Sequence, residues 1–359
     1  MKPLQLSTGN TKHIGRTVYR DGVLYPVQSG SGCEFRFTGR RLDITIGCGK
    51  DIVKSAPFCN KPRFAVLVNG RFSVKKVAEL AEESYTVIES DTPVTADIRI
   101  IKLSEAAFSV GEVTAATDDD AVIVPAEVKP FRIEFIGDSI TCAYGVDDSN
   151  TQSEFATEAE NAMKSYGYLA AEMLGAEYSL FSYSGHGIIS GWTETGERNT
   201  REIIVPYYGS AGFSYALAGD TAPQDIPWDN SALPADIVVV NLGTNDFSYC
   251  SANANKGAVG EFAREYLRFL RTVREKNPAA EIIAALGIMN ADLYSQVEQA
   301  AQALRAEGDS RVRSFRFTMQ DGRLGYGSNW HPSAETHLRA AEEIAAFIRA
   351  ELPEICGRR

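Results

Sequence analysis

The chain has 359 residues, with 36 Lys and Arg against 47 Asp and Glu, a net charge of −11 and 44% hydrophobic residues. That composition excludes wholesale disorder, and the length accommodates two domains of ordinary size. The acidic surplus excludes nucleic acid and an anionic membrane surface as partners, since both require a basic face, and leaves an uncharged or cationic ligand.

The chain opens on Met1-Lys2-Pro3-Leu4-Gln5 and passes directly into polar sequence, with no apolar export core. The expectation is a cytoplasmic protein, or a secreted one whose leader has been removed. No apolar run approaches the roughly 20 residues that a membrane-spanning helix needs. From Gly15 to about Ile123, period-two runs at 33–37, 42–46, 63–68 and 96–101 predict antiparallel strands, with an Asn69-Gly70 hairpin turn after the third. Only 74–83 reads as a short helix. This half is expected to be a β-sandwich or jelly roll. An acidic, Pro-containing stretch from Asp118 to Pro130 ends it, so the expected domains are 1–126 and 127–359.

The rhythm then changes. A strand at 131–136 is followed by an amphipathic helix at 161–174, and a second strand at 178–183 precedes a nearly all-apolar third at 237–242. Phe262, Tyr266, Phe269, Leu270 and Val273 share one helical face. A strand at 282–286, a helix at 293–304 and a strand at 312–317 come next. The final helix has the stripe Leu338, Ala341, Ile344, Ala345, Ile348 and Leu352. Strands alternating with helices define an α/β fold with a doubly wound parallel sheet, whose sites lie at the carboxyl ends of its strands. The six cysteines (Cys33, Cys48, Cys59, Cys142, Cys250, Cys356) are scattered without a CxxC pair, which argues against zinc or redox chemistry and for buried reduced thiols.

Small polar clusters follow the strands: Gly137-Asp138-Ser139-Ile140-Thr141, Ser184-Gly185-His186-Gly187 and Gly243-Thr244-Asn245-Asp246, with Asn329-Trp330-His331-Pro332-Ser333 before the last helix. In this order they resemble the four blocks of the SGNH, or GDSL-like, hydrolase superfamily, over roughly 130–359. With the β half in front, and the stretches IEFIGDSIT, SYGYLAAEMLGAEY, VVVNLGTNDF and NWHPS, the whole chain most resembles carbohydrate esterase family 2. That resemblance implies a jelly roll ahead of a flavodoxin-like doubly wound domain. It also implies a serine esterase that removes O-acetyl groups from plant polysaccharides or oligosaccharides of the xylan or mannan type, without metal or cofactor. The partner would be an acetylated sugar or oligosaccharide. No pattern speaks to oligomeric state.

Chemistry supports the carry-over. A serine hydroxyl is a poor nucleophile until a positioned base takes its proton, and Ser139 stands where a strand gives way to a helix. Of the four histidines, His13 lies in the β half, His186 in a glycine cluster and His337 within the last helix. His331 alone precedes a helix start, with Pro332 and Ser333 suited to the first-turn and cap positions. The resemblance implies an oxyanion hole of the Ser139 N–H, the Gly185 N–H and the Asn245 side chain, Gly185 being favoured over Gly187 by its spacing. Asp246 is expected to brace its loop.

The chain departs from the pattern where a carboxylate normally orients the histidine: Ser328 and Asn329 occupy the two usual positions. The expectation is a Ser139–His331 dyad, with a carbonyl oxygen from the Asn329 side chain or from the backbone holding the ring. Of the three tryptophans, Trp192, Trp228 and Trp330, the last adjoins His331 and is expected to line the sugar cleft. The insertion 191–227 is long for a βα connection. Two other functions remain open from the sequence: a general short-chain or lipase-like SGNH ester hydrolase, and a carbohydrate-binding protein with a degenerate hydrolase domain.

Overall fold

The computed structural model describes residues 1–49, 60–105, 107, 109–118 and 120–358. Cys59, and Asp119 of the acidic stretch that ends the first half, lie outside the described residues. The chain forms two compact units. One comprises Met1–Val128, Phe155–Ala162 and Ser210–Pro227, and the other Lys129–Glu154, Met163–Gly209 and Trp228–Arg359. The units are therefore not a simple cut at 126/127: two later stretches, one of them the second half of the long insertion, belong with the N-terminal unit.

The first unit is built on a ten-stranded sheet whose pairings are all antiparallel. Its spine is the pair Gly32–Gly47 and Glu83–Lys102, broken by register shifts between Gly39 and Arg41 and between Leu42 and Asp43. Cys33, Phe35 and Phe37 face the core before the irregularity, and Leu42, Ile44 and Ile46 after it. The extra residue switches the alternation from odd to even and so keeps every large apolar side chain inside. Strands Arg63–Val68 and Arg71–Val77 form the predicted hairpin, with Asn69 and Gly70 at φ 51° and 75°, the left-handed pair of a type I′ turn. The short helix expected at 74–83 is absent. Val74–Val77 continues the hairpin strand, and Glu83 opens the next one. The turn fixes the pairing register, and that pairing overrides a weak local helix preference.

The second unit contains five parallel strands, β1 (Arg132–Gly137), β2 (Glu177–Ser182), β3 (Ile237–Asn241), β4 (Glu281–Leu286) and β5 (Val312–Arg316), in the order β2-β1-β3-β4-β5. β3 is buried throughout, as its apolar run predicts. The helices are α1 (Ser139–Cys142), α2 (Tyr166–Leu174), α3 (Thr244–Ala252), α4 (Ala258–Lys276), α5 (Tyr294–Ala306), α6 (Ala334–Glu351) and α7 (Pro353–Cys356). α2 packs on α6, and α4 on α5. The helix expected at 161–174 begins late because Ser165 caps it, its side chain accepting from Gly167 N, while Ala162–Lys164 forms a separate 3-10 turn. The five residues predicted for the inner face of α4 are all buried. In α6, Leu338 leaves the predicted stripe and is 43% exposed. The buried face runs instead through His337, Ala340, Ala341, Ile344, Ala345 and Ile348. Among the described residues, Cys33, Cys48, Cys142 and Cys250 are buried free thiols and Cys356 is half-buried.

Candidate active site

The site begins where β1 stops. Gly137 ends the strand, Asp138 caps α1 with its side chain accepting from Ile140 N at 3.0 Å, and Ser139 is the first helical residue. A one-turn helix directly after a strand presents Ser139 at the carboxyl edge of the sheet. Its Oγ lies 2.9 Å from Nε2 of His331, 192 residues away in sequence. The other ring nitrogen, Nδ1, lies 3.1 Å from the backbone oxygen of Asn329. A carbonyl can only accept, so Nδ1 carries the proton; Nε2 is then the acceptor, and the Ser139 hydroxyl donates to it.

The Asn329 side chain thus is not what holds the ring. The chain delivers the carbonyl by an unusual backbone path, with Asn329 and Trp330 both left-handed at φ 50° and 61°. Asparagine tolerates that region and tryptophan does not, so this is a strained turn over-determined by its surroundings. His331 N donates to Ser328 O at 3.1 Å and Gly327 N to His331 O at 2.7 Å. Ser333 takes the cap of α6 as expected and accepts from Thr336 N, whereas Pro332 precedes the cap instead of entering the first turn.

Three contacts tie this loop to the Ser139 turn. Tyr144 stacks on the imidazole with ring centroids 4.0 Å apart at 29°. Ser328 N donates to Gly145 O at 3.1 Å. Gly145 has φ +66°, and a β-carbon there would stand 2.1 Å from Ser328 Oγ, so glycine alone permits the approach. Neither Tyr144 nor Gly145 was a sequence candidate, because ring stacking and close backbone approach leave no pattern along the chain.

The other candidates converge on the same turn. Tyr183 N donates to Gly137 O at 3.3 Å, binding the Gly185 loop to the end of β1. Asn245, in the first turn of α3, donates through Nδ2 to His186 O at 2.9 Å and, at a long 3.3 Å, to Asp138 Oδ2. Asp246 braces the loop as expected: its carboxylate accepts from the backbone N–H groups of Ile188, Ile189 and Ser190 at 2.7–3.2 Å. Gly185 is left-handed at φ +77°. Ser139 and Asn245 are 7% exposed and His331 9%, a burial deep enough to weaken solvent competition for their hydrogen bonds.

Burial dominates the electrostatics. It pushes the His331 pKa down to about 4, only partly opposed by the backbone bonds to Asn329 and Ser328. It lifts Asp138 to about 7, with the Asp246 charge adding to the rise, and Asp246 to about 6 against the pull of its three backbone donors. Buried His337 is driven to about 3, mainly by desolvation, and its Nδ1 accepts from Tyr166 N. The dyad histidine is therefore neutral near pH 7, the form a general base requires.

Trp330 is 53% exposed and edges onto Tyr326 at 5.2 Å. Trp192 is 57% exposed, and its backbone N–H donates to Gly185 O at 2.9 Å. Trp228 is half-buried.

A serine hydroxyl donating to a neutral, oriented imidazole at the edge of a parallel sheet is the arrangement of serine-dependent acyl hydrolases. The GDSL-like lipase/acylhydrolase family matches residues 133–344, and the chain belongs to it. Over 338 residues, 90% of its length, the chain is 33% identical to the cellulase/esterase CelE of Acetivibrio thermocellus. Over 234 residues, 63% of its length, it is 30% identical to an acetylxylan esterase / glucomannan deacetylase of Cellvibrio japonicus. It spans 37% and 59% of those two proteins. Among solved structures, a family two carbohydrate esterase from Clostridium thermocellum in complex with cellohexaose superimposes with a TM-score of 0.81 at 27% identity, covering 96% of this chain and 99% of that one. The neighbours are thus the family two carbohydrate esterases that the motifs resemble.

Proposed function

We propose that this chain is a serine esterase that removes O-acetyl groups from plant polysaccharides or oligosaccharides of the xylan or mannan type. The observation that carries the reading is the 2.9 Å contact between Ser139 Oγ and His331 Nε2, with Nδ1 fixed by a carbonyl. The esterase and deacetylase names of the relatives support the substrate class.

In this reading Ser139 Oγ attacks the acetyl carbonyl as its proton passes to His331 Nε2. The oxyanion is received by the N–H groups of Ser139 and Gly185 and by the Asn245 amide. Nδ2 keeps its 2.9 Å bond to His186 O, and its second hydrogen, held only by the long contact to Asp138, is the one offered to the oxyanion. His331 returns the proton to the departing sugar oxygen and leaves an acetyl-serine. Water, deprotonated by the same imidazole, then releases acetate and restores Ser139. A neutral carbonyl in place of a carboxylate still fixes the tautomer, and the Tyr144 face lies against the ring as it becomes charged. Trp330, exposed beside the base, is the surface on which a sugar ring stacks. The first unit is read as a jelly roll, supported by one core built from both halves of a strand interrupted by register shifts. A net charge of −11 suits an uncharged saccharide.

The test is acetate release from acetylated xylan and glucomannan beside 4-nitrophenyl esters of increasing acyl length. The expected result is release from the polysaccharides or their oligosaccharides, with acetyl preferred over butyryl or longer esters. Preference for long acyl chains overturns the reading in favour of a lipase-like hydrolase. Sugar binding without turnover of any ester favours a degenerate domain.

The pH profile follows from burial of the base. His331 works only when neutral, so kcat/KM rises with pH through its free-enzyme pKa and is level above it. With that pKa pushed to about 4 rather than the ordinary 6.5, activity on 4-nitrophenyl acetate is expected to hold from pH 7 to near pH 5 and fall below. An acid limb near 6.5 would show that the imidazole is solvated in solution.

A further inference from the structure

One charged side chain beside the site is unexplained by the reaction above. Glu202 lies in the loop after β2, half-buried, with its backbone O accepting from Gly187 N at 3.0 Å. Its carboxylate lies against the Cα of Gly185: a β-carbon built there would stand 3.0 Å from Oε2 and 3.8 Å from Oε1. Oε2 is held by Asn199 Nδ2 at 2.8 Å, and the same amide donates to Trp192 O at 3.2 Å. Among the described residues Oε1 has no hydrogen-bond partner. A carboxylate anchored by one oxygen, its other oxygen open, thus borders a glycine whose N–H is to receive an oxyanion.

Electrostatically this placement is adverse. A fixed negative charge beside a developing oxyanion raises the barrier for any ester, and the effect is larger where water is excluded. Such a charge is retained with benefit only if it binds something in return. A carboxylate oxygen is an acceptor alone, so its complement is a hydroxyl donor. Two exposed aromatic residues flank the site and offer faces for a sugar ring: Trp192, 57% exposed, whose backbone N–H donates to Gly185 O at 2.9 Å, and Trp330, 53% exposed, next to the base in the chain.

We propose that Glu202 is a specificity-determining residue whose free Oε1 accepts a hydrogen bond from a hydroxyl on the ring carbon next to the acetylated one. This rests on the esterase reading above. Glu202 selects mono-acetylated rings that keep a free neighbouring hydroxyl, and it lowers the intrinsic rate on esters that lack one. Hydrogen bonds to charged acceptors are strong enough for the choice to exceed tenfold.

The experiment uses Glu202→Gln, which keeps an oxygen for Asn199, and Glu202→Asp, which keeps the charge but draws it back. Probes are a mono-O-acetylated methyl xyloside, its analogue deoxygenated at the carbon beside the ester, and 4-nitrophenyl acetate. Glu202→Gln is expected to lower kcat/KM on the glycoside at least tenfold, mostly through KM, and to raise the rate on 4-nitrophenyl acetate severalfold. On the deoxy analogue it should lack the tenfold loss, and Glu202→Asp should recover part of the glycoside rate. Parallel losses on all three probes would mean a merely structural loop residue and overturn the proposal. Titration of the glycoside into Ser139→Ala, with and without Glu202→Gln, reads the same contact without chemistry. Equal affinity overturns this inference, whereas absence of ester turnover by the unmutated chain overturns the esterase reading instead.

Discussion

Ser139→Ala and His331→Ala are each expected to lower kcat on 4-nitrophenyl acetate and acetylated xylan by about 10⁴-fold, and the double variant to lose no more than either single one. The two groups act as a unit. Without Nε2 the hydroxyl keeps its proton, and without the hydroxyl the imidazole has no nucleophile to activate. Ser139→Ala removes a single 2.9 Å contact, so its stability changes little, a hydrogen bond contributing about 1 kcal/mol; His331→Ala also removes the Tyr144 stack and the bond to Asn329 O and should lower Tm. Steady-state rates alongside calorimetric Tm values separate the two effects. A Ser139→Ala protein within tenfold of the parent would assign the nucleophile elsewhere. Losses that multiply in the double variant would deny the dyad.

Asn245→Ala is expected to lower kcat by about 10²–10³-fold with little change in KM, as loss of one preorganised oxyanion donor does. Unlike Ser139→Ala, it should also lower Tm. The amide joins His186 O to Asp138 Oδ2, and its removal leaves a buried carbonyl and a buried carboxyl short of a donor, at about 1–3 kcal/mol. Asp138 is already lifted to about 7 by burial, so the substitution should shift its titration further upward. A rate loss below tenfold with a full Tm loss would make Asn245 a brace for the two loops and no more.

The legible parts of this molecule were those with a short repeat. The strands of the parallel unit fell within a residue or two of their predicted places, because buried parallel strands are continuous apolar runs. The long spine strand of the first unit reads in sequence as two, 33–37 and 42–46, since the register shift reverses its alternation midway. The helix expected at 74–83 fails for the opposite reason: the Asn69-Gly70 turn dictates a hairpin there and overrides the local preference. At the site, Ser139 and His331 were legible from their positions at element boundaries and are in contact. The Asn329 carbonyl was only half legible. Its side chain is visible in a sequence, but two successive left-handed residues that turn the backbone oxygen inward are not. Tyr144, Gly145 and Glu202 act through stacking, missing bulk and proximity, none of which has a period.

The 192-residue span between Ser139 and His331 has a bearing on how the unit folds. The hydroxyl belongs to the first βα turn, while the imidazole arrives only with the chain between β5 and α6. Every intervening crossover must close before the two can meet, and that loop-closure entropy is borne before any chemistry becomes possible. Activity in a refolding chain is therefore a late signal, marking the docking of the C-terminal elements rather than the first formation of the sheet.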